Sequence, residues 1–205
     1  MALIKHGNNA LSNVTAFPSA VPTCKPVLLS TATASSSSSI EFTSGIDSTY
    51  DVYKFEFIDI HPGTTNAFFQ FNLSTDSGSN YNVTKTSTSF YASLYEYDAY
   101  GAVAYTAYQG ALAQSTSFQN LAVNAGTGNG ADNNLAGSMF LYNPASTVYV
   151  KHFISVTNEY HNNEASWGSF VAGYGNTTSA TNAIRFQMNT GNFDGTIKMY
   201  GIKAW

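Results

Sequence analysis

The alternation of apolar and polar residues is clearest near the end of the chain. From residue 184 to residue 189, the apolar side chains of Ile184, Phe186 and Met188 alternate with polar ones. A period of two is typical of a strand with one buried face and one solvated face. The turn that follows contains Gly191 and Gly195, which accept positive φ, and a second strand-like segment comes after it. We therefore predict that these two segments form a closing hairpin.

A central strand is predicted at residues 51–60. Tyr53, Phe55 and Phe57 form its apolar face, and Lys54 and Glu56 form its polar face. Further strand-like segments recur at short, regular spacing between turns rich in Gly, Pro, Asn and Ser. This pattern, with almost no helical periodicity, predicts an all-β fold: a single antiparallel, jelly-roll-like β-sandwich over residues 27–205.

Four local patterns refine this prediction. The serine run at residues 35–39 is expected to be a hairpin turn, and Asn143-Pro-Ala-Ser-Thr is expected to join residues 135–142 and 148–157 in another hairpin. Residues 84–97 alternate less cleanly, which predicts a strand interrupted by a bulge. Residues 105–114 are rich in alanine and tyrosine and are the predicted position of one short helix.

Residues 1–26 are predicted to form an extended N-terminal arm. Three prolines at four-residue steps, Pro18, Pro22 and Pro26, favour extended backbone without ladder pairing. The arm also carries five apolar side chains: Leu3, Ile4, Leu11, Val14 and Phe17. We expect these residues to dock on a neighbouring subunit or an underlying shell, because tethering is what usually orders a terminus. The alternative is a strand-like segment folded onto its own domain.

Charge is scarce in this sequence. Only 10% of the 205 residues are charged, against roughly 25% in an ordinary soluble domain, whereas Phe and Tyr each occur 14 times. A surface of Ser, Thr, Asn and Gln suits a protein packed permanently against neighbours, or one that works outside the cell. The net charge of −4 and the single arginine, Arg185, argue against nucleic acid as a partner.

No targeting segment is recognisable in the sequence. The opening Met1-Ala-Leu-Ile-Lys-His-Gly lacks the sustained apolar core of a signal peptide, and no apolar run approaches the ~18 residues of a membrane span. We therefore expect synthesis in a cytoplasm and no membrane insertion. Cys24 is the only cysteine, which excludes an internal disulfide and predicts a small, partly buried residue.

No motif supports catalysis or metal binding. Four residues close together in sequence carry metal-binding groups: His152, Glu159, His161 and Glu164. Their spacing matches no metal template, and the serines lack a nucleophile elbow. A glycosidase needs two carboxylates roughly 5–10 Å apart, and its only plausible acids here are Asp47, Asp51, Glu159 and Glu164, which surface solvation explains equally well. We expect no enzyme activity, no cofactor and no metal.

An aromatic and amide-rich segment precedes the closing strands. It contains Tyr160, His161 and Trp167, with Asn162 and Asn163, in what we predict to be an exposed loop. Aromatic faces flanked by amides stack on and hydrogen-bond a sugar, and they equally fill a protein interface. Three roles therefore stay open: packing of the loop on its own sandwich, contact between subunits, and glycan binding.

Blocks distributed along nearly the whole chain carry a family resemblance. They are Ala2-Leu-Ile-Lys-His-Gly-Asn-Asn-Ala-Leu-Ser-Asn-Val-Thr-Ala-Phe, Phe42-Thr-Ser-Gly-Ile-Asp-Ser-Thr-Tyr, Phe57-Ile-Asp-Ile-His-Pro, Thr75-Asp-Ser-Gly-Ser-Asn-Tyr-Asn-Val-Thr, Leu112-Ala-Gln-Ser-Thr-Ser-Phe, Phe170-Val-Ala-Gly-Tyr and Gly195-Thr-Ile-Lys-Met-Tyr-Gly-Ile-Lys. These blocks resemble a family of structural proteins encoded by marine tailed phages. The family has no catalytic residues to carry over to this chain.

The resemblance implies a protein of the virion, made in the host cytoplasm and released with the particle. We expect a decoration or knob on the head exterior. The alternative is a tail or fibre component that contacts the host surface, with a possible glycan-binding role, and a glycan depolymerase comes third. A surface poor in charge and rich in Tyr and Phe needs a partner to cover its apolar patches, and threefold symmetry suits both capsid and fibre positions. We therefore predict a homotrimer that contacts the major capsid protein or tail proteins.

Overall fold

The computed structural model describes residues 25–97, 100–106, 110–123, 126–161 and 163–203. Within these ranges the chain forms strands, turns and loops, and no helix. The strands are β1 (Val27–Ser37), β2 (Ser39–Phe42), β3 (Val52–Pro62), β4 (Phe69–Ser74), β5 (Lys85–Tyr95), β6 (Gly101–Tyr105), β7 (Gln119–Asn120), β8 (Leu135–Tyr142), β9 (Lys151–His161), β10 (Ala165–Gly175), β11 (Ala183–Met188) and β12 (Phe193–Ile202). The predicted all-β class is confirmed.

The strands form two antiparallel sheets that enclose one core. The larger sheet has eight strands in the order β1-β12-β3-β8-β9-β10-β5-β6, and the smaller sheet has four in the order β2-β11-β4-β7. All of the strand pairings in both sheets are antiparallel. The protein is therefore an antiparallel β-sandwich.

Four of the strand pairs are nested along the chain. β1 pairs with β12, β2 with β11, β3 with β8 and β4 with β7, so each pair encloses the next in sequence. The first and third pairs lie in the larger sheet, and the second and fourth lie in the smaller one. The other strands, β9, β10, β5 and β6, lie beyond β8 and widen the larger sheet. We call these four strands the extension of the larger sheet.

The core between the sheets is rich in aromatic rings. The residues predicted to be buried are all buried: Tyr53, Phe55, Phe57, Ile184, Phe186 and Met188. The ring centroid of Phe186 lies 5.3 Å from those of Phe55 and Phe57, which belong to the opposite sheet. Full burial of such a side chain contributes about 1.5–3 kcal/mol. This aromatic cluster therefore does much to hold the two sheets together.

Two of the predicted hairpins are wrong, because the strands on either side of the turn belong to different sheets. β11 pairs with β2 and β4, whereas β12 pairs with β1 and β3. β1 and β2 are likewise divided between the larger and the smaller sheet. Glycine and serine turns mark where a strand ends, and here the chain uses them to cross the ~10 Å between packed sheets. The hairpin of β8 and β9 is confirmed by their pairing.

Two predictions about the extension are also wrong. β5 pairs with β10 in an unbroken register from Lys85 to Tyr95, without the predicted bulge. In place of the predicted helix, Tyr105 ends β6, and residues 110–114 are not helical; residues 107–109 lie outside the described ranges. The amide of Ser87 donates to the Leu112 carbonyl at 2.9 Å, and the Leu112 amide donates to the Ser87 hydroxyl at 2.8 Å. Strand β5 thus supplies hydrogen-bond partners that a helix would provide internally.

Candidate functional site

Strand β9 places polar side chains inside the sandwich and apolar ones outside. Its buried positions are Lys151, Phe153, Ser155, Thr157, Glu159 and His161. Ile154 and Val156 are exposed between them. The polar interior is stabilised by a loop that covers it, since the Thr157 hydroxyl donates to the Leu121 carbonyl at 2.8 Å. The extension of the larger sheet therefore combines a polar interior with an apolar exterior.

The prediction of an exposed aromatic loop is wrong, because β9 continues to His161 and β10 begins at Ala165. His161 and Trp167 lie inside the sandwich, with 4% and 6% of their surface exposed. Their ring centroids are 6.0 Å apart. Tyr160 is partly exposed and, by the alternation of the strand, lies on the opposite face of β9. The structure thus brings His161 and Trp167 together but encloses both.

These two residues belong to a buried polar cluster with Glu159 and Thr127. Trp167 is the direct cross-strand partner of Glu159. The Thr127 hydroxyl donates to Oε2 of Glu159 at 2.5 Å. The amide of Asn163 donates to Nδ1 of His161 at 3.2 Å, which leaves the proton of the neutral ring on Nε2. Within the part of the chain that the structure describes, no group hydrogen-bonds to Oε1 of Glu159, Nε2 of His161 or Nε1 of Trp167.

Burial governs the ionisation of this cluster. Desolvation raises the pKa of Glu159 to about 7, although the hydrogen bond from Thr127 acts in the opposite direction. Desolvation also lowers the pKa of His161. Both shifts favour the uncharged form of the group. Neither side chain is open to solvent, so these shifts make the stability of the protein depend on the ionisation of the cluster.

The four plausible catalytic acids lie towards opposite ends of the larger sheet. Asp47 and Asp51 precede the first residue of β3. Glu159 lies near the other end of β3, because Ile60 of β3 pairs with Leu135 and Leu135 pairs with Glu159. β3 has 11 residues and spans about 35 Å. Asp47 and Asp51 are therefore too far from Glu159 to form with it the carboxylate pair, roughly 5–10 Å apart, that a glycosidase requires. No group of three or more metal-binding side chains occurs among the described residues.

Three tyrosines cluster where β5 ends and β6 begins. The ring centroid of Tyr95 lies 5.3 Å from that of Tyr97 and 5.8 Å from that of Tyr100. Tyr97 is 70% exposed and Tyr100 is 65% exposed. Tyr95 and Tyr97 line a cleft of about 410 Å³ together with Asn163 and Glu164 from the turn between β9 and β10. We call this the tyrosine cleft. The sequence reasoning missed it, although three tyrosines within six residues were a visible signal.

The outer side of the extension carries a row of apolar side chains. Val156 pairs with Phe170, Phe170 with Phe90, and Phe90 with Tyr105 across four successive strands. The rings of Phe90 and Phe170 stack with their centroids 4.7 Å apart. Together with their apolar neighbours on the same side they form what we call the outer apolar face: Phe90, Val103, Tyr105, Phe140, Ile154, Val156 and Phe170.

A groove of about 490 Å³ runs beside the stacked phenylalanines. Ala172 and Gly173 of β10 lie at its centre, and Ile154 and Thr88 line it from the two neighbouring strands. A Cβ atom on Gly173 would lie 2.5 Å from the carbonyl oxygen of Thr86. Glycine is therefore required there by close packing of the backbone, and small residues leave the groove open.

The predicted attachment residues Leu3, Ile4, Leu11, Val14 and Phe17 lie outside the described residues, so their role stays a prediction. Comparisons with protein-family models, with curated proteins and with solved structures found no match to this chain. Within the described ranges, the structure contains no helix with the length and apolar character needed to cross a membrane.

Proposed function

We propose that this chain is a structural protein of a phage virion, a decoration or knob on the head exterior. The outer apolar face carries the proposal, because large exposed apolar patches mark sites of contact with another protein. The sequence blocks that resemble phage structural proteins support the same assignment. The proposal includes no enzyme activity, cofactor or metal.

The nested strand pairs support a jelly-roll interpretation of the sandwich. Without the four strands of the extension, the remaining strands form two four-stranded sheets, β1-β12-β3-β8 and β2-β11-β4-β7. A jelly roll has this order because one long antiparallel hairpin folds over on itself, and the nested strand pairs are the successive pairs along that hairpin. Jelly rolls are frequent in viral capsid proteins and also in lectins. Because one fold serves many functions, this argument supports the proposal only together with the outer apolar face.

The size of the outer apolar face is consistent with a contact between subunits. Five of its side chains, Phe90, Val103, Tyr105, Ile154 and Val156, each keep between 45% and 76% of their surface exposed. If a fully exposed aromatic side chain offers roughly 150–250 Å², Phe90 and Tyr105 alone present about 160–270 Å², to which the three aliphatic side chains add. The largest patch on a typical monomer is about 300–600 Å², and a stable interface buries about 800 Å² per partner. This face therefore supplies a substantial part of the area that one such interface needs.

The shape of the face also suits association with identical copies. The stacked rings of Phe90 and Phe170 form a ridge, and the groove over Ala172 and Gly173 lies next to it. Each copy thus offers a ridge and a groove side by side. We propose a homotrimer in which the outer apolar faces of three copies meet around the threefold axis. The arm at residues 1–26 would then attach the trimer to the major capsid protein or to tail proteins.

Light scattering on the purified protein tests the homotrimer. Ile154→Glu and Val156→Glu each place a carboxylate on the outer apolar face, so we expect trimers to dissociate into monomers. Val148 is 66% exposed and lies outside the strands, so Val148→Glu is the matched control and should leave the trimer intact. A wild-type protein that stays a monodisperse monomer at high concentration would contradict the proposal.

Copy number separates the head location from the tail alternative. A decoration protein occurs as one or more copies per capsomer, whereas a tail or fibre component occurs in a handful of copies. Reconstruction of whole particles by electron cryomicroscopy measures this number directly. The exposed tyrosine cleft favours the tail or fibre alternative, because such a component meets the host surface.

A further inference from the structure

The lining of the tyrosine cleft is mainly polar, and aromatic rings supply a smaller apolar share. Tyr95 and Tyr97 form one side, and Asn163 and Glu164 form the other. A pyranose ring has a matching construction, since one face consists of C–H groups and its rim carries hydroxyls. A mainly polar lining provides hydrogen-bond partners for the hydroxyls, and aromatic rings provide a surface for the C–H face. The cleft thus has the composition that recognition of a sugar requires.

Ring packing and a backbone hydrogen bond support the base of the cleft. The ring of Tyr95 packs edge-on against Trp167, with centroids 6.3 Å apart, and Trp167 packs in turn against Tyr91 at 4.9 Å. The amide of Glu96 donates to the carbonyl of Glu164 at 2.8 Å, which ties the two turns together.

Glu164 has a backbone conformation that its side chain does not favour. Its φ is 55°, in the left-handed region where glycine and asparagine are usual. Residues held in sparsely populated backbone regions cost about 1–3 kcal/mol and cluster at ligand sites. Asparagine occupies the two positions before Glu164 and would adopt this φ more easily. A carboxylate that lines the cleft is a reason for glutamate to occupy this position.

The charge around the cleft is negative. Glu164 lines the cleft, and Glu96 lies between Tyr95 and Tyr97 in sequence, with its amide bonded to the Glu164 carbonyl. An acidic sugar would therefore be repelled, whereas a carboxylate accepts strong hydrogen bonds from sugar hydroxyls and from an ammonium group.

We infer that the tyrosine cleft binds a hexopyranose that is neutral or carries an amino group, with the sugar face on Tyr97 and its hydroxyls on Asn163 and Glu164. This activity goes beyond the proposed structural role and does not depend on it.

Saturation-transfer NMR on the full-length protein tests the inference. The probes are methyl glucoside, N-acetylglucosamine, glucosamine and glucuronic acid at millimolar concentration. We expect transfer to at least one of the first three and none to glucuronic acid. Absence of transfer to all the neutral and amino sugars would overturn the inference, and equal transfer to glucuronic acid would overturn its charge argument.

Variants connect any binding to the cleft. Tyr97→Ala and Glu164→Gln should weaken binding by about tenfold or more, a loss of ~1.4 kcal/mol. Tyr149 is 69% exposed and does not line the cleft, so Tyr149→Ala is the matched control and should bind like the wild type. Unchanged binding in Tyr97→Ala would place the sugar elsewhere and refute the inference. Val156→Glu, which tests the oligomer, should still bind sugar, so the two proposals fail separately.

Discussion

Glu159 makes the stability of this protein depend on pH in a direction opposite to that of most carboxylates. Its burial raises the pKa from 4.5 to about 7. In the unfolded chain the group loses its proton near its ordinary pKa, so between about pH 4.5 and pH 7 the unfolded state binds fewer protons than the folded state. The free energy of unfolding therefore falls as pH rises through this window. The contribution of Glu159 is fully present below pH 4.5.

The magnitude follows from the size of the shift. A rise in pKa from 4.5 to about 7 corresponds to about 3 kcal/mol, since one unit equals about 1.4 kcal/mol. Glu159→Gln removes the ionisation and keeps an oxygen that accepts the hydrogen bond of Thr127. We expect this variant to match the wild type below pH 4.5 and to exceed its stability by about 3 kcal/mol at pH 8. In a chain of this size the gain is about 6–12 °C in melting temperature.

Urea unfolding at pH 4.5 and pH 8, at one protein concentration, measures the difference. The lowered pKa of His161 has the opposite effect, because its contribution is present above its ordinary pKa and is lost as pH falls. The wild type and Glu159→Gln both contain His161, so its contribution cancels in the difference between their free energies of unfolding. Glu56, whose pKa is lowered by the hydrogen bond from Lys54, is the control: Glu56→Gln should cost at most about 1 kcal/mol, and more at pH 8 than at pH 4.5. A stability difference for Glu159→Gln that is the same at both pH values would refute the reasoning.

Two other predictions concern the core and the arm. Phe55→Ala should cost about 2–5 kcal/mol, because it removes a fully buried ring that contacts Phe186, and unchanged thermal stability would show that the core assignment is wrong. Deletion of residues 1–22 should leave the sandwich folded but abolish attachment to particles that lack the protein, measured by mixing truncated and full-length chains with such particles. Equal binding of both chains would mean that attachment comes from the sandwich itself.

The sequence predicted the core strands well because they follow a simple rule. In β3, Tyr53, Phe55 and Phe57 alternate with Lys54 and Glu56, and the structure buries the apolar set. The alternation fixes which side of a strand is buried but not which strand lies next to it. That is why the turn before β12 was mistaken for a hairpin turn, although it carries the chain from one sheet to the other.

The extension was harder to predict because its polarity is reversed. In β9 the buried side includes Thr157 and Glu159, and the exposed side includes Ile154 and Val156. A reversed strand is stable only if a loop from elsewhere in the chain satisfies its polar groups, as the Leu121 carbonyl does for Thr157. Such a partner, distant in sequence, leaves no local signal. The tyrosine cleft is also assembled from two turns far apart in sequence.

The nesting of the strand pairs has a consequence for synthesis on the ribosome. β1 pairs with β12 and with no other strand among the described residues, so it has no partner in the sheet until residues 193–202 have emerged. Pairing at such long separation closes a large loop and makes folding slow. During this interval the apolar side chains of both sheets are open to the wrong partners.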